Sequence, residues 1–383
     1  MTVTEDLDRS VKLTAEGKWN EARKILIRLA RKGVMEAQFN LGLIYFNGYD
    51  VKPDYGKALK WYTKAADQGM PEAQVNLGVM YFDGTGVGKD LGKAFELFQK
   101  AADSGYALAQ LHVGMMYESG LHVEKNPGLA SSWYRSAADQ DLPQACLALA
   151  RMYSVGTGVK QSEGMALDYL EKAVKLDFAP AIELLATMYY FGELVPKSPA
   201  KAFELYQKAA KKGMPEAQTA LGMMYMDGEG TEQNQDLAVA WFRIAAIQGN
   251  ADAQLNLAIA YDFGHGVEQD YAKAAELYEL AGEQGNSDAL CNLGTCTRKA
   301  AVSRRSSKRH SITTPARTTS ETIWHYAVSV ICISSGKVSP RTVRRRWRSI
   351  RNLPAKAAKR RWRNSGNWAN PYRTRSRIDH SAS

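Results

Sequence analysis

Alanine recurs every 36 residues, at Ala37, Ala73, Ala109, Ala145, Ala181, Ala217, Ala253 and Ala289, without a slip in register. A fixed period of this length means that one supersecondary unit is copied along the chain and that each copy buries its apolar face against its neighbours. The period overrides the two or three globular domains that 383 residues would otherwise suggest.

Within the unit, a tyrosine stands eight residues after the alanine (Tyr45, Tyr81, Tyr117, Tyr153, Tyr189, Tyr225, Tyr261). An aliphatic residue usually stands four after it, as at Leu41, Leu77, Leu149 and Leu185. Spacing i, i+4, i+8 is one face of a helix. A small residue follows the aliphatic one (Gly42, Gly78, Gly114, Ala150, Ala186, Gly222, Ala258). Glycine inside a helix costs about 1 kcal/mol relative to alanine, so its recurrence predicts a close approach of another helix.

Gly48, Gly84, Gly120, Gly156, Gly192, Gly228 and Gly264 end this first helix, because glycine readily takes the left-handed cap conformation. Seventeen residues after each alanine comes Asp54, Asp90, Asn126, Ser162, Ser198, Asn234 or Asp270, every one a favoured N-cap type, and Pro127 and Pro199 follow directly. A second helix therefore starts there. It carries bulky pairs such as Trp61–Tyr62 and Trp133–Tyr134, then small pairs such as Ala65–Ala66, and is closed by Gly69, Gly105, Gly213, Gly249 and Gly285. Large residues facing small ones across helix contacts make a close-packed core.

The unit from Ala73 to Gly105, A-x-x-x-L-G-x-x-Y-x-x-G-x-G-V, then D-x-x-K-A and A-A-x-x-G, resembles the Sel-one-like repeat, a 36-residue relative of the tetratricopeptide repeat. The resemblance covers roughly residues 37–294. It implies a right-handed α/α superhelix with a protein-binding concave face, in a family of adaptors and regulators, some acting at bacterial host interfaces. One secreted branch of the family cross-links each hairpin with a cysteine pair and is credited with small-molecule binding or hydrolysis. This chain has four cysteines, Cys146, Cys291, Cys296 and Cys332, with neither that pairing nor a metal-ligand spacing, which disfavours that branch and predicts reduced thiols.

The formal net charge of +10 is unevenly spread. From Thr295 onward there are 22 Lys and Arg and two acids, Glu321 and Asp379, a net +20, which leaves −10 for residues 1–294. A mildly acidic repeat body argues against nucleic-acid binding by the repeats, since phosphate recognition needs clustered positive charge. The first ten residues are acidic and lack an apolar core, and no run of about 18 apolar residues occurs. The expected compartment is a cytoplasm, and a bacterial one fits best.

Candidates for chemistry resolve into structure. Gly84-Thr85-Gly86-Val87-Gly88-Lys89-Asp90 has the look of a phosphate loop, but it follows a helix instead of a strand, and Asp90 stands where a hydroxyl would hold magnesium. It reads as the inter-helix loop plus a cap. His112, His122, His265, His310, His325 and His380 have no metal or base spacing and read as packing or solvated residues. Carboxylates form no recurring inward pair, so no catalysis, cofactor or metal is expected. Asn40, Asn76, His112, Asn256 and Asn292, three residues after their alanines, are the candidate partner-binding residues. The alternative for them is local hydrogen bonding to neighbouring repeats or water.

After Thr295 the period is lost, and Arg344-Arg345-Arg346-Trp347-Arg348 and Lys359-Arg360-Arg361-Trp362-Arg363 appear. Basic residues interleaved with aromatics suit single-stranded nucleic acid, and a composition with so little to bury suits disorder. A third reading is a shifted frame. When the last base of each codon joins the first two of the next, Thr295 to Ser303 can encode Met-Tyr-Glu-Lys-Gly-Gly-Gly-Val, which the repeat motif requires after Leu293-Gly294. A second Met-Tyr, from Ile331-Cys332-Ile333, falls 36 residues after the first.

The expected organisation is an N-terminal extension (1–13), a capping helix (14–36), an all-α solenoid of seven full repeats plus the start of an eighth (37–294), and a basic, poorly ordered, frameshifted tail (295–383). The expected function is a non-enzymatic scaffold for a protein or peptide partner. The alternatives are a secreted or host-directed effector of the same repeat class, or a member of the cysteine-linked branch. Lacking a polar terminal cap, the last hairpin near Leu277 and Tyr278 is expected to fray.

Overall fold

The structure, a computed structural model, describes residues 2–308; the expectations for the tail beyond Lys308 lie outside the described residues. The described chain is helical, without strands, and forms two compact units, residues 2–176 and 177–308. The first holds α1 (Val3–Ala15), α2 (Trp19–Arg31), α3 (Met35–Asn47), α4 (Tyr55–Asp67), α5 (Pro71–Asp83), α6 (Leu91–Asp103), α7 (Ala107–Ser119), α8 (Pro127–Asp139), α9 (Pro143–Val155) and α10 (Glu163–Lys175). The second holds α11 (Ala179–Phe191), α12 (Pro199–Lys211), α13 (Pro215–Asp227), α14 (Gln235–Ile247), α15 (Ala251–Phe263), α16 (Tyr271–Glu283) and α17 (Ser287–Lys308). Within each unit consecutive helices pack on one another, so each is a stretch of helix-hairpin solenoid.

Each hairpin closes by the same local chemistry. All seven first helices from α3 to α15 end at a glycine in the left-handed conformation, φ 69–77° from Gly48 to Gly264. Nine residues after each repeat tyrosine, the cap residue's N–H donates to that tyrosine's carbonyl, from Asp54 to Tyr45 (2.8 Å) through Asp270 to Tyr261 (2.9 Å). The cap side chain then accepts from the first turn of the second helix, as Asp54 does from Lys57 N–H at 2.9 Å and Asn126 from Leu129 N–H at 3.0 Å. The Gly84–Asp90 segment is one such loop and cap: Asp90 accepts from Lys93 N–H at 3.0 Å.

The alanine, the aliphatic residue four on and the tyrosine share a buried face, as Ala37, Leu41 and Tyr45 show. Full burial of a side chain the size of Leu41 stabilises by about 1.5–3 kcal/mol. Where the small residue after the aliphatic one is glycine, at Gly42, Gly78, Gly114 and Gly222, it sits under a ring of its own hairpin's second helix. A Cβ on Gly42 would lie 2.4 Å from the Tyr62 ring, and one on Gly222 would lie 2.6 Å from Phe242. Successive hairpins are tied by a buried glutamine on the first helix: Gln38 donates to the Ala30 carbonyl at 3.2 Å, and Gln218 to Ala210 at 3.1 Å.

Two stretches differ from the expected plan. Residues 3–15 fold as α1, capped by Thr2 and Glu5 and packed on α2, which is the helix expected within 14–36. At the other end α17 runs through the 294–295 boundary for 22 residues instead of 13. Its eleventh residue after the repeat alanine is Ala300, where every earlier first helix has its terminating glycine, and alanine favours continuing the helix.

Candidate protein-interaction face

Residues three, six and ten positions after each repeat alanine lie on one side of the first helix. In the first unit these are Asn40, Leu43 and Asn47 on α3, then Asn76, Val79 and Asp83 on α5. His112, Met115 and Ser119 follow on α7, and Ala148, Arg151 and Val155 on α9. The sixth position is half-buried in Leu43, Met115 and Arg151, and the tenth is exposed throughout. In the second unit the corresponding residues are Leu184, Thr187 and Phe191 on α11, Ala220, Met223 and Asp227 on α13, and Asn256, Ile259 and Phe263 on α15. Phe263 is 53% exposed, with His265 stacked beside it and the Lys299 ammonium over its ring.

The five residues singled out from the sequence occupy this position in unlike ways. Asn76 is hydrogen-bonded to the buried Tyr62 phenol, whose ionisation burial holds well above the ordinary tyrosine value. Asn256 is buried and donates to the Asp252 carbonyl at 2.8 Å. His112 is buried against Phe98, ring centroids 4.6 Å apart, and burial pushes its imidazole down to about 4. Asn40 and Asn292 are half-buried. His112 and Asn256 thus serve the packing of the array, while Asn40, Asn76 and Asn292 keep part of their surface exposed. The other described histidines are also ring neighbours: His122 lies tilted beside Phe95 at 6.1 Å, and His265 stacks on Phe263 at 5.8 Å.

One polar cluster sits on this side of the first unit. The Glu118 carboxylate accepts from the Tyr134 phenol at 2.7 Å and pairs with the guanidinium of Arg151 on the next first helix. Burial, then the neighbouring carboxylate, raises the Tyr134 ionisation well above its ordinary value. The phenol is therefore a fixed donor and not an acid. Burial likewise raises the Cys146 thiol and takes the Cys296 thiol up to about 11, away from the thiolate form that reacts. No group of three or more His, Cys, Asp or Glu able to hold a metal occurs among the described residues, and none of their helices is long and apolar enough to cross a membrane.

The Sel1 repeat model matches seven consecutive segments, residues 36–70, 71–106, 107–142, 143–178, 179–214, 215–250 and 251–286. The chain belongs to the Sel1 repeat family. Each segment matches one hairpin of the structure. A Sel1 repeat protein from Oxalobacter formigenes is similar, with 37% identity over 75% of this chain and 85% of that one, and a TM-score of 0.59. So is c5321, a protective antigen present in uropathogenic Escherichia coli strains and displaying an SLR fold, with 33% identity over 78% of this chain and a TM-score of 0.59. The match spans 65% of the c5321 chain. No curated protein matches.

As a Sel1 repeat protein, the chain has the helix hairpins and glycine pattern that its letters announced. Cys146 and Cys296 are free thiols; Cys332 lies outside the described residues. The exposed tenth position, with Val155 on α9 and Phe191 and Phe263 on the second unit's first helices, was missed in the sequence. The signal was available: position ten after the alanine changes from Asn47, Asp83 and Ser119 to Val155 and Phe191 while the core around it does not change.

Proposed function

We propose that this Sel1 repeat protein is a non-catalytic scaffold holding a protein or extended peptide partner on the first-helix side of its hairpins. The observation that carries the reading is the contrast between neighbouring positions. Eight residues after the alanine all seven first helices keep tyrosine, and seven residues after it all seven keep a buried apolar residue, methionine in five of them, as Met116–Tyr117 and Met224–Tyr225. The half-buried sixth position runs through Leu43, Met115, Arg151, Thr187, Met223 and Ile259, a varied set of apolar, hydroxyl and cationic side chains suited to selecting a partner. Free thiols and two bacterial relatives support a bacterial cytoplasm. Residues 295–383 are read as the product of a shifted frame, and nucleotide sequencing of codons 295–340 tests this: an alternate frame broken by stops refutes it.

Photo-crosslinking from the full chain tests the scaffold reading. A crosslinker placed at Met115 or Met223 captures one partner repeatedly, and the same group at Ser132 on the opposite side does not. Met223→Glu then weakens that partner's binding by about tenfold or more, while circular dichroism shows the helices still folded. Equal capture from both sides, or binding indifferent to Met223→Glu, overturns it.

A further inference from the structure

The outer faces of the second helices are polar or mixed, with one exception. Where α4 has Lys64 and Asp67, α6 Lys100 and Asp103, α10 Lys172 and Lys175, and α12 Lys208 and Lys211, helix α14 has Ile244 and Ile247. They are 44% and 81% exposed. Leu237, two turns before Ile244, is 42% exposed, and Leu280, one repeat on in α16, is 47% exposed. A single exposed leucine is ordinary in a folded protein, but large apolar side chains repeated along the outer face of one helix and at the matching position of the next second helix mark a contact surface.

The loops before α14 and α16 each touch the start of the second helix one repeat earlier. A Cβ on Gly230, in the loop before α14, would meet the Pro199 carbonyl of α12 at 2.4 Å, and one on Gly266, before α16, would meet the Gln235 carbonyl of α14 at 2.4 Å. The exposed charges of α12 and α16 differ in sign. The outer side of α12 carries Lys201, Lys208 and Lys211 against Glu204, and that of α16 carries Glu276, Glu279 and Glu283 against Lys273. The apolar face of α14 therefore has a basic margin on one side and an acidic margin on the other.

We propose that this face binds a second copy of the same chain. An isologous contact is related by a two-fold axis. With that axis parallel to α14, Ile244 and Ile247 of the two copies meet at the centre, and the basic margin of each lies over the acidic margin of the other. An axis across the helices would set α12 against α12, basic on basic. Charge complementarity selects the first arrangement.

Sedimentation velocity and light scattering on the full chain, from micromolar to hundreds of micromolar, test the proposal. The wild type moves from the mass of one chain to that of two, and I244K/I247K stays at one with unchanged helicity and melting temperature. The folded state tolerates those lysines, because α12 carries Lys208 and Lys211 at the same positions. Lys211→Glu weakens association by about tenfold, and Glu283→Lys in the same chain restores it. A wild type that remains a monomer, a dimer that survives I244K/I247K, or a charge reversal that is not rescued overturns the proposal.

Discussion

Gln68 donates its side-chain amide hydrogen to the side-chain oxygen of Gln38, 30 residues earlier, at 2.7 Å. The same bond recurs between Gln140 and Gln110 (2.9 Å), Gln248 and Gln218 (2.7 Å), and Gln284 and Gln254 (2.8 Å). Each joins the buried glutamine of a first helix to the end of its own second helix. Gln38, Gln218 and Gln254 also reach the preceding hairpin, through the carbonyls of Ala30, Ala210 and Ala246.

Gln74 lacks that donor. Ser104 stands where four of the hairpins have Gln68, Gln140, Gln248 and Gln284, and spends its hydroxyl on the Lys100 carbonyl, while the Gln74 side-chain oxygen is buried without a hydrogen-bond partner. Ser104→Gln supplies the missing bond and is expected to raise stability by about 1 kcal/mol. The urea midpoint reads the effect; an unchanged or lowered midpoint sinks it.

Acid weakens the fold at His112. Its folded imidazole, pushed down by burial to about 4, compares with about 6.5 in an unfolded chain. Between these values the unfolded chain takes up a proton that the folded one does not. The histidine's contribution is thus complete above about pH 6.5 and declines as the pH falls toward about 4, by up to about 3 kcal/mol in total. In His112→Asn, which copies Asn40 and Asn76, this component disappears. If the stability gap between wild type and variant is the same at about pH 7.5 and about pH 4.5, His112 is not the cause.

Gly222→Ala pits helix propensity against overlap. The new methyl gains about 1 kcal/mol of helix propensity, but it meets the Phe242 ring at 2.6 Å, and overpacking of this kind costs about 1–3 kcal/mol. A net loss of about 1 kcal/mol is expected. Phe242→Leu in the same chain, which reproduces the Ala150 and Leu170 combination of an earlier hairpin, should suppress the penalty. A double-mutant cycle without coupling would falsify the packing account.

Lys299 holds the last helix to the array. Its ammonium meets both oxygens of the Asp262 carboxylate at 2.8 and 2.9 Å and lies 4.6 Å from the Phe263 ring centroid, and Asp262 is 3% exposed. Lys299→Ala leaves that carboxylate buried without its counter-ion, at a cost of about 1–2 kcal/mol given the lysine's partial exposure. Hydrogen exchange should then quicken in α16 and α17 while α4 keeps its rate, and Asp262→Asn should recover most of the loss. Uniform exchange along the chain speaks against it.

The parts of the fold legible in the sequence are those fixed by local backbone chemistry. Asp54, Ser198 and Asp270 cap helices because their side chains reach an N–H two or three residues on, and Gly48 or Gly264 ends one because it takes a left-handed φ. Neither depends on a distant neighbour. The roles of the candidate residues Asn40, Asn76, His112, Asn256 and Asn292 are harder to read because they depend on what faces each one. Asn40 and Asn76 stand at the same repeat position, yet Asn76 is engaged by Tyr62 across a hairpin boundary. The glutamine bonds escaped notice because Cys146 and Ile182 interrupt the pattern at the centre of the chain. The apolar face of α14 emerges only when its outer positions are compared with those of the other second helices.

The bond from each cap N–H to the tyrosine carbonyl nine residues earlier closes every hairpin with atoms of its own repeat. Whole units can therefore be gained or lost by recombination at matching points with every such closure intact. A join out of phase breaks one at once. Change in this chain is accordingly quantised: the array tolerates steps of 36 residues, and its length evolves by counting units.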